Sequence, residues 1–151
     1  MRLETMSLKR SFDKAFLMRV VNHDDVYSHV CLGLPRPLEI SFALDDEKNI
    51  FLANDHGGFL FTHKGQCLYE VHTVFLKTGR GPPVYEAAKE AASYMFCKTD
   101  AMIIMTMVPV DNAAARKLAE FVGFEPSGSD ELNGVPVDMY ELSIKRWAQC
   151  Q

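Results

Sequence analysis

Near its N-terminus the chain has two stretches in which apolar residues recur every three or four positions, the spacing that puts side chains on one face of a helix. The polar run His23-Asp24-Asp25 separates the two stretches. Their apolar positions are Phe12, Ala15, Phe16 and Val20, followed by Val26, Tyr27 and Val30. The pattern predicts two short helices.

Alternation of apolar with polar or small residues then predicts strands. The first covers residues 38–42, after a turn that contains two prolines. Three further strand-like runs occupy residues 50–53, 59–62 and 67–76, and two short segments of hairpin-turn composition separate them. These runs predict an antiparallel meander of at least three strands.

Two helical patterns flank a strongly apolar run in the second half of the chain. Residues 77–83 form a loop rich in glycine and proline, and apolar positions between 84 and 96 then line one side of a helix. The run 101–108 is apolar almost throughout, which suits a strand buried on both faces. Asp111-Asn112 precedes a second helix, which Gly123 ends as a left-handed cap.

Turn signals mark the C-terminal part of the chain at Ser127-Gly128-Ser129 and Asn133-Gly134. Together with the alternating Val135, Val137 and Met139, they predict two more strands that close the sheet. No repeat, low-complexity tract or flexible linker divides the 151 residues. We therefore expect a single domain over residues 1–151.

The composition, 48% hydrophobic and 24% charged, is that of a domain that needs no metal or disulfide to hold its core. The four cysteines lie far apart and lack the spacing of metal ligands or redox motifs. They are Cys31, Cys67, Cys97 and Cys150. We expect reduced thiols and no metal site.

The distribution of charge argues against two kinds of partner. A formal net charge of −4 does not suit a protein that binds nucleic acid through its phosphate backbone. Charged residues at the N-terminus, among them Arg2, Glu4 and Lys9, interrupt any apolar run that could serve as a signal peptide or membrane span. We expect a cytoplasmic protein with neither nucleic acid nor membrane as a partner.

The loop at residues 77–83 is a candidate phosphate site. A glycine loop that enters a helix directs unpaired backbone N–H groups and the positive end of the helix dipole toward one point. The alternative is a sharp turn without a ligand, because such turns are far more common. The loop has neither the Gly-Lys-Ser/Thr of a Walker loop nor the third glycine of a Rossmann fingerprint. Asn112 likewise has an alternative explanation, since capping a helix alone would account for it.

The second of these helices, one strand after the glycine loop, carries the string Asn112-x-x-Ala115-x-x-Leu118-x-x-x-x-Gly123-Phe124. It resembles a hallmark of the GNAT superfamily of acyl-CoA-dependent N-acetyltransferases, Asn-x-x-Ala-x-x-Leu-Tyr-x-x-x-Gly-Phe. The resemblance implies an α+β fold with a mixed central sheet of about six to seven strands, helices on both faces and a splay between the fourth and fifth strands. It also implies transfer of an acetyl group from acetyl-CoA directly to an amine acceptor in a ternary complex.

In this family the pantetheine arm of the cofactor pairs with the backbone of the fourth strand, and the loop after that strand holds the pyrophosphate. Carried over by register, the residues that would border pantetheine are His72, Thr73 and Val74. Those that would surround the pyrophosphate are Gly79, Arg80, Gly81 and Val84. Asn112 would meet the cofactor from the other side.

Three positions depart from the family pattern. Thr78 stands where the family has Arg or Gln, and Pro83 stands where it has Gly or Ala. Pro82 and Pro83 donate no backbone N–H, so the loop has fewer donors for a phosphate, and the Arg80 side chain is expected to compensate. Ala119 replaces the tyrosine that frequently serves as the general acid.

Glu70 and His72 are the remaining candidates for proton transfer. They lie two apart on the fourth strand and so project from one face, beside the expected thioester. Amine acetylation needs a base that takes a proton from the ammonium group. The alternative is that the two side chains only hydrogen-bond each other across a solvated sheet face.

Two functions stay open on sequence alone. The first is an N-acetyltransferase whose amine acceptor the sequence does not identify. The second is a non-catalytic GNAT-like module, such as a phage accessory or assembly protein, which Ala119 and the double proline favour. The segment 69–73 and the short N-terminal helices are loosely similar to small phage-encoded members of the family. Trp147 either caps the core or contacts a second copy in a homodimer.

Overall fold

The computed structural model describes residues 7–151, which form seven strands and five α-helices. In chain order these are β1 (Lys9–Arg10), α1 (Lys14–Val21), α2 (Asp24–Val30), β2 (Ile50–Asn54), β3 (Gly57–Gly65), β4 (Leu68–Phe75), α3 (Pro82–Lys98), β5 (Ile103–Pro109), α4 (Ala113–Val122), β6 (Glu125–Leu132), β7 (Val135–Ser143) and α5 (Ile144–Gln149). The strands form one sheet in the order β1-β2-β3-β4-β5-β7-β6. Neighbouring strands are antiparallel except β4 and β5, which are parallel. The predicted α+β fold with a mixed sheet is confirmed.

Helices cover both faces of the sheet. The first face is covered by α1 and α2, and its buried side chains include Leu17, Val20, Val26, Phe51, Leu60 and Val74. The opposite face is covered by α3 and α4, and its buried side chains include Phe59, Phe61, Val71, Ala91, Met95 and Val122. Full burial of one such large side chain contributes roughly 1.5–3 kcal/mol before entropy is counted. The two short N-terminal helices and the helices on both faces are confirmed.

The parallel pairing of β4 with β5 ends part-way along both strands. Residues 68–70 pair with residues 103–105, and both strands continue beyond this point without pairing to each other. At the fork, the Thr106 hydroxyl donates a hydrogen bond of 3.1 Å to the Val71 carbonyl. The predicted splay between the fourth and fifth strands is therefore confirmed, and it leaves an opening in the sheet.

The strand predicted over residues 38–42 is wrong, because Ser41–Asp45 form a 3-10 helix. The Asn22 side chain accepts a hydrogen bond of 2.7 Å from the Leu38 N–H and donates one of 3.0 Å to the Leu38 carbonyl. In addition, β1 pairs with the free edge of β2. The backbone groups of Leu38 thus have the Asn22 side chain as their partner. The edge of β2, where a further strand could pair, is occupied by β1.

Two further predictions need correction. Ser127-Gly128-Ser129 is not a turn, because these residues lie within β6 at a point where the register against β7 shifts. The apolar run 101–108 is not buried on both faces: Ile104 and Val108 are buried, whereas the methionines of β5 are only partly buried. The strands diverge here, so part of β5 borders an opening instead of a packed core.

Trp147 packs on the core, which is one of the two roles that the sequence left open. It lies on α5, a helix that the sequence patterns do not predict. Its ring centroid is 5.2 Å from that of Phe96 on α3. The contact fastens the C-terminal helix to the α3–α4 face of the sheet.

The expectation about the N-terminus is only partly addressed by the structure. Arg2 and Glu4 lie outside the described residues. Among residues 7–151, no helix is both long and apolar enough to cross a bilayer. All four cysteines lie in the described part of the chain and are free thiols, as predicted.

Tyr69 ties the paired end of β4 to the turn that precedes β5. Its hydroxyl donates a hydrogen bond of 2.7 Å to the Asp100 carboxylate. Burial, with this hydrogen bond as a second cause, raises the pKa of Tyr69 from 10.0 to about 12. Because the folded state holds this proton more tightly than the unfolded chain, the stabilisation is complete below pH 10 and is lost as the pH rises toward 12.

We predict that Tyr69→Phe lowers the free energy of unfolding by about 1 kcal/mol at neutral pH, since one hydrogen bond is lost. The variant should also lack the part of the stability loss that Tyr69 causes in the alkaline range. Urea denaturation of both proteins at about pH 8 and about pH 11 measures this difference. If the parent and the Tyr69→Phe protein lost the same free energy of unfolding between these two pH values, Tyr69 would not be the group responsible.

Candidate active site

A cavity of about 440 Å³ occupies the opening between β4 and β5. Its walls come from β4 and β5 where they diverge, from β3, from side chains along α3 and α4, and from the end of α2. The small side chains of Ala88, Ala91 and Ala92 help to leave this space between α3 and the sheet. The volume is typical of a small-molecule site.

The cavity reaches both faces of the sheet. Side chains alternate along a strand, so Glu70 and His72 of β4 project toward the α1–α2 face, and Thr73 projects toward the α3–α4 face. In β5, Met107 lies on the first face and Thr106 on the second, because Glu70 pairs with Met105. Groups on opposite faces of the sheet therefore border one space.

Two helices begin at this cavity. Gly81 is the N-cap of α3, Asn112 is the N-cap of α4, and both residues line the cavity. The first N–H groups of a helix lack partners within it, and the helix dipole adds partial positive charge there. The two helix starts together favour an anionic group between them.

The loop before α3 has few free backbone donors. The N–H groups of Gly79 and Arg80 donate to carbonyls of the preceding turn, at 2.9 and 3.2 Å. Pro82 and Pro83 have no N–H to offer. The Gly81 N–H has no acceptor among the described residues, and Gly81 takes a φ of +97° with open space where a Cβ would stand. One free N–H and a glycine-dependent conformation thus face the cavity.

The Arg80 side chain connects the end of β4 to α2. Its Nε donates a hydrogen bond of 3.0 Å to the Phe75 carbonyl, and an Nη donates to the Asp25 carbonyl. The Asp25 carboxylate accepts a hydrogen bond from the Lys77 N–H, which is the main cause that lowers its pKa, and the Arg80 charge contributes. The guanidinium is therefore held at the cavity wall, and its remaining N–H groups are available to a ligand.

Asn112 caps α4, which is the alternative role that the sequence left open for this residue. Its Oδ1 accepts a hydrogen bond of 3.1 Å from the Ala115 N–H. The side-chain amide N–H groups have no acceptor among residues 7–151, and the residue lines the cavity. Capping therefore uses the oxygen of Asn112 and leaves its nitrogen for a ligand.

Seven of the nine predicted site residues line the cavity, and these are Glu70, His72, Thr73, Arg80, Gly81, Val84 and Asn112. The Val74 side chain points away from it, into the core under α1 and α2. Gly79 also lies away from it: a Cβ at this position would stand 2.4 Å from the Cβ of His56. Thr78 contacts the same histidine, with 2.9 Å between its Oγ1 and His56 Nδ1.

Glu70 is the centre of a polar cluster on the α1–α2 face. Its side chain is 5% exposed, and its Oε1 lies 3.4 Å from Lys64 Nζ and 3.9 Å from His72 Nε2. The Thr62 hydroxyl lies 3.5 Å from the same His72 nitrogen. Glu70 and His72 therefore do approach each other, but in a partly enclosed site with a lysine as the third member.

His72 is poised as a neutral imidazole. Burial lowers its pKa below the ordinary value of 6.5, the Glu70 charge acts in the opposite direction, and Lys64 adds to the lowering. A histidine with a lowered pKa is uncharged at neutral pH and can accept a proton. The cavity thus has a base available on its α1–α2 side.

Known proteins resemble this chain in structure. No protein-family model matches it, and no curated protein does either. Spermidine N-acetyltransferase from Vibrio cholerae, in complex with CoA and spermine, has a TM-score of 0.74 at 15% identity, over 94% of this chain and 97% of its own. AAC(6')-Ib in complex with ribostamycin and coenzyme A has a TM-score of 0.76 at 13% identity, over 96% of this chain and 97% of its own. An acetyltransferase of the GNAT family from Bacillus anthracis has a TM-score of 0.64 at 18% identity, over 89% of this chain and 92% of its own. This chain has the GNAT fold.

Within the GNAT fold, this chain differs from the sequence hallmark at Ala119. That residue lines the cavity and packs in a small buried cluster with Val108 and Tyr140. A methyl group therefore stands where the hallmark has a tyrosine hydroxyl. The loose likeness to phage-encoded members is tested by none of the comparisons and stays a prediction.

Two residues of the candidate site are not indicated by the sequence patterns. Lys64 lies near the end of β3, in a segment that the sequence predicts as a turn, and Thr106 lies in a run that the sequence predicts as a buried strand. Lys64 lies where the register between β3 and β4 shifts, so simple alternation along the strand does not indicate its contact with Glu70. No local signal indicates the contact between Thr106 and Val71.

We predict that the His72 pKa, measured by NMR titration of its ring protons, lies below 6.5. Glu70→Gln should lower it further, because an attractive negative charge is removed. Lys64→Met should raise it, because a repulsive positive charge is removed. A His72 pKa at or above its ordinary value would contradict burial as the main cause.

Proposed function

We propose that this protein is an N-acetyltransferase that moves an acetyl group from acetyl-CoA directly to an amine in a ternary complex. The observation that carries the proposal is the cavity between β4 and β5, with two helix starts on one side and the Glu70–His72 cluster on the other. Two structural neighbours support it, since each was solved with coenzyme A together with spermine or ribostamycin. A single opening that reaches both faces suits two substrates that meet within the sheet.

The backbone of β4 supports a place for the pantetheine arm. The Val71 carbonyl points toward β5, because it accepts the hydrogen bond from Thr106. Thr73, two residues further along, directs its N–H and C=O to the same side, where β5 has diverged. The apolar side chains of Val84 and Leu118 lie across the cavity. Backbone groups at Thr73 would thus pair with the amides of the arm.

The helix starts support a place for the pyrophosphate. Gly81 offers a free N–H and no side chain, Arg80 offers a positive charge, and Asn112 offers its amide nitrogen. The site fits an anion, although the Gly79 and Arg80 N–H groups are used within the turn. We expect CoA to be held with fewer backbone hydrogen bonds than a glycine loop without prolines would give.

His72 and Glu70 would supply the base. His72 Nε2 takes a proton from the acceptor ammonium, directly or through a water, and Glu70 stabilises the imidazolium that forms. The freed amine nitrogen then bonds to the thioester carbonyl carbon, and the C–S bond breaks. Ala119 offers no proton, so the sulfur leaves as a thiolate, and the second proton of the amine nitrogen passes to this thiolate or to solvent water as the amide forms.

The acceptor would be an amine. The homodimer and the cytoplasmic location stay predictions. The non-catalytic GNAT-like module is the outcome that would follow if CoA bound tightly and no amine were acetylated.

We predict that CoA or acetyl-CoA raises the thermal stability of the protein, by about 2.7 kcal/mol at a hundredfold excess over its Kd. Gly81→Glu should abolish this shift, because it adds bulk and negative charge where the pyrophosphate would lie. Gly65→Glu is the matched control, since Gly65 also has a positive φ and open space around it but does not line the cavity. No shift in the parent at millimolar ligand would contradict a CoA site.

We predict that acetyl transfer, measured as free CoA thiol, appears when a broad amine panel is screened. Glu70→Gln and His72→Ala should each lower kcat by about a hundredfold or more, because the first removes the charge that stabilises the imidazolium and the second removes the base. The affinity for acetyl-CoA should stay nearly constant. In the parent the rate should rise with pH as His72 loses its proton, with a midpoint below pH 6.5.

A double variant of Glu70 and His72 with full activity would remove both residues from the mechanism. Deprotonation of the acceptor amine in solution also makes the rate rise with pH, so the profile is recorded with amines of different pKa. If the midpoint of the rate profile changes with the pKa of the amine, the titrating group belongs to the substrate. If the midpoint is the same for all amines, the titrating group belongs to the enzyme.

A further inference from the structure

The side of the cavity that faces α1 and α2 is mainly apolar. Under the proposed function, this is where the acceptor would lie, opposite the two helix starts. It is lined by Val26, Val30, Leu32 and Met107, with the exposed His29 beside them on α2 and with Glu70 and His72 at the sheet. The wall therefore offers a mainly apolar surface that carries one histidine, next to the Glu70–His72 cluster.

Negative charge is scarce in this cavity. Glu70 is the one carboxylate among the described residues that line it. Lys64 Nζ already lies 3.4 Å from Glu70 Oε1, and Arg80 adds a positive charge to the wall. One ammonium group could take the place of the half-exposed Lys64 beside Glu70, but a second would find no carboxylate. An unpaired charge inside a cavity is costly.

The apolar wall is also tied in place. Asn133, at the tip of the β6–β7 hairpin, donates a hydrogen bond of 2.9 Å from Nδ2 to the Leu32 carbonyl. The two segments approach so closely that a Cβ on Gly33 would lie 2.8 Å from the Asn133 carbonyl oxygen. This bridge joins the loop after α2 to the tip of the β6–β7 hairpin and so fixes the position of Leu32 in the wall.

We infer that the acceptor is a monoamine with an apolar body and that the site selects against polyamines. The inference rests on the proposed function, because it names the acceptor class for the same cavity. It sets this chain apart from the structural neighbour that was solved with spermine.

The test compares hexylamine with hexamethylenediamine, which share one carbon chain and differ by a second ammonium group. Their affinities are measured by calorimetric titration, with and without saturating CoA. We expect hexylamine to bind at least about tenfold more tightly, because the second ammonium has no carboxylate partner. Equal or tighter binding of the diamine, or binding of neither amine, would overturn the inference.

A charge variant makes the test sharper. Leu32 lines the cavity at a φ of +47°, a conformation that Asp and Asn adopt more readily than Leu. Leu32→Asp adds a second carboxylate to the wall, and Leu32→Asn is the uncharged control of the same shape. The ratio of diamine to monoamine affinity should be about tenfold higher in the Asp variant than in the Asn variant.

The same ratio in the two Leu32 variants would contradict the role of charge. If Leu32→Asp fails to fold, the comparison of the two amines on the parent protein still decides. Different results would contradict the proposed function, namely no stabilisation by CoA or no acetyl transfer to an amine that binds. Amine selectivity is measured with and without CoA, so the two failures can be told apart.

Discussion

The early end of the β4–β5 pairing is the constraint on which the cavity and its chemistry depend. Pairing stops after Glu70 and Met105, and the Thr106 hydroxyl then satisfies the Val71 carbonyl. Beyond this fork the strands turn unpaired backbone groups toward each other across a space, and such groups need partners. A ligand with amide groups of its own can supply them. The divergence also allows side chains from both faces of the sheet to reach the same ligand.

The charge balance around Glu70 links the proposed catalysis to the inferred choice of acceptor. Lys64 neutralises Glu70 from the solvent side, and both charges act on His72 in opposite directions. Because burial is the larger effect, His72 stays neutral and can accept a proton. The same pairing leaves little negative potential for a polycation. One ion pair thus influences both the base and the acceptor.

The loop before α3 shows how a fold can keep a site while altering its donors. The turn uses the Gly79 and Arg80 N–H groups, and the double proline removes two more. What faces the cavity is the Gly81 N–H and a guanidinium that two backbone carbonyls hold in position. A held arginine loses less entropy on binding an anion than a free one would. Side-chain charge therefore compensates in part for missing backbone donors.

Local signals in the sequence determined much of this fold, since each depends on residues a few positions apart. The cap at Asn112, the left-handed end at Gly123 and the Asn133-Gly134 hairpin are formed as predicted, and the motif that begins at Asn112 and ends at Gly123-Phe124 indicated the GNAT fold. Only the tertiary structure decided that Lys64 lies beside Glu70, that the loop N–H groups are consumed, and that residues 38–42 leave the sheet. These outcomes depend on contacts between distant segments and on competition for one sheet edge, which hydrophobic periodicity does not record.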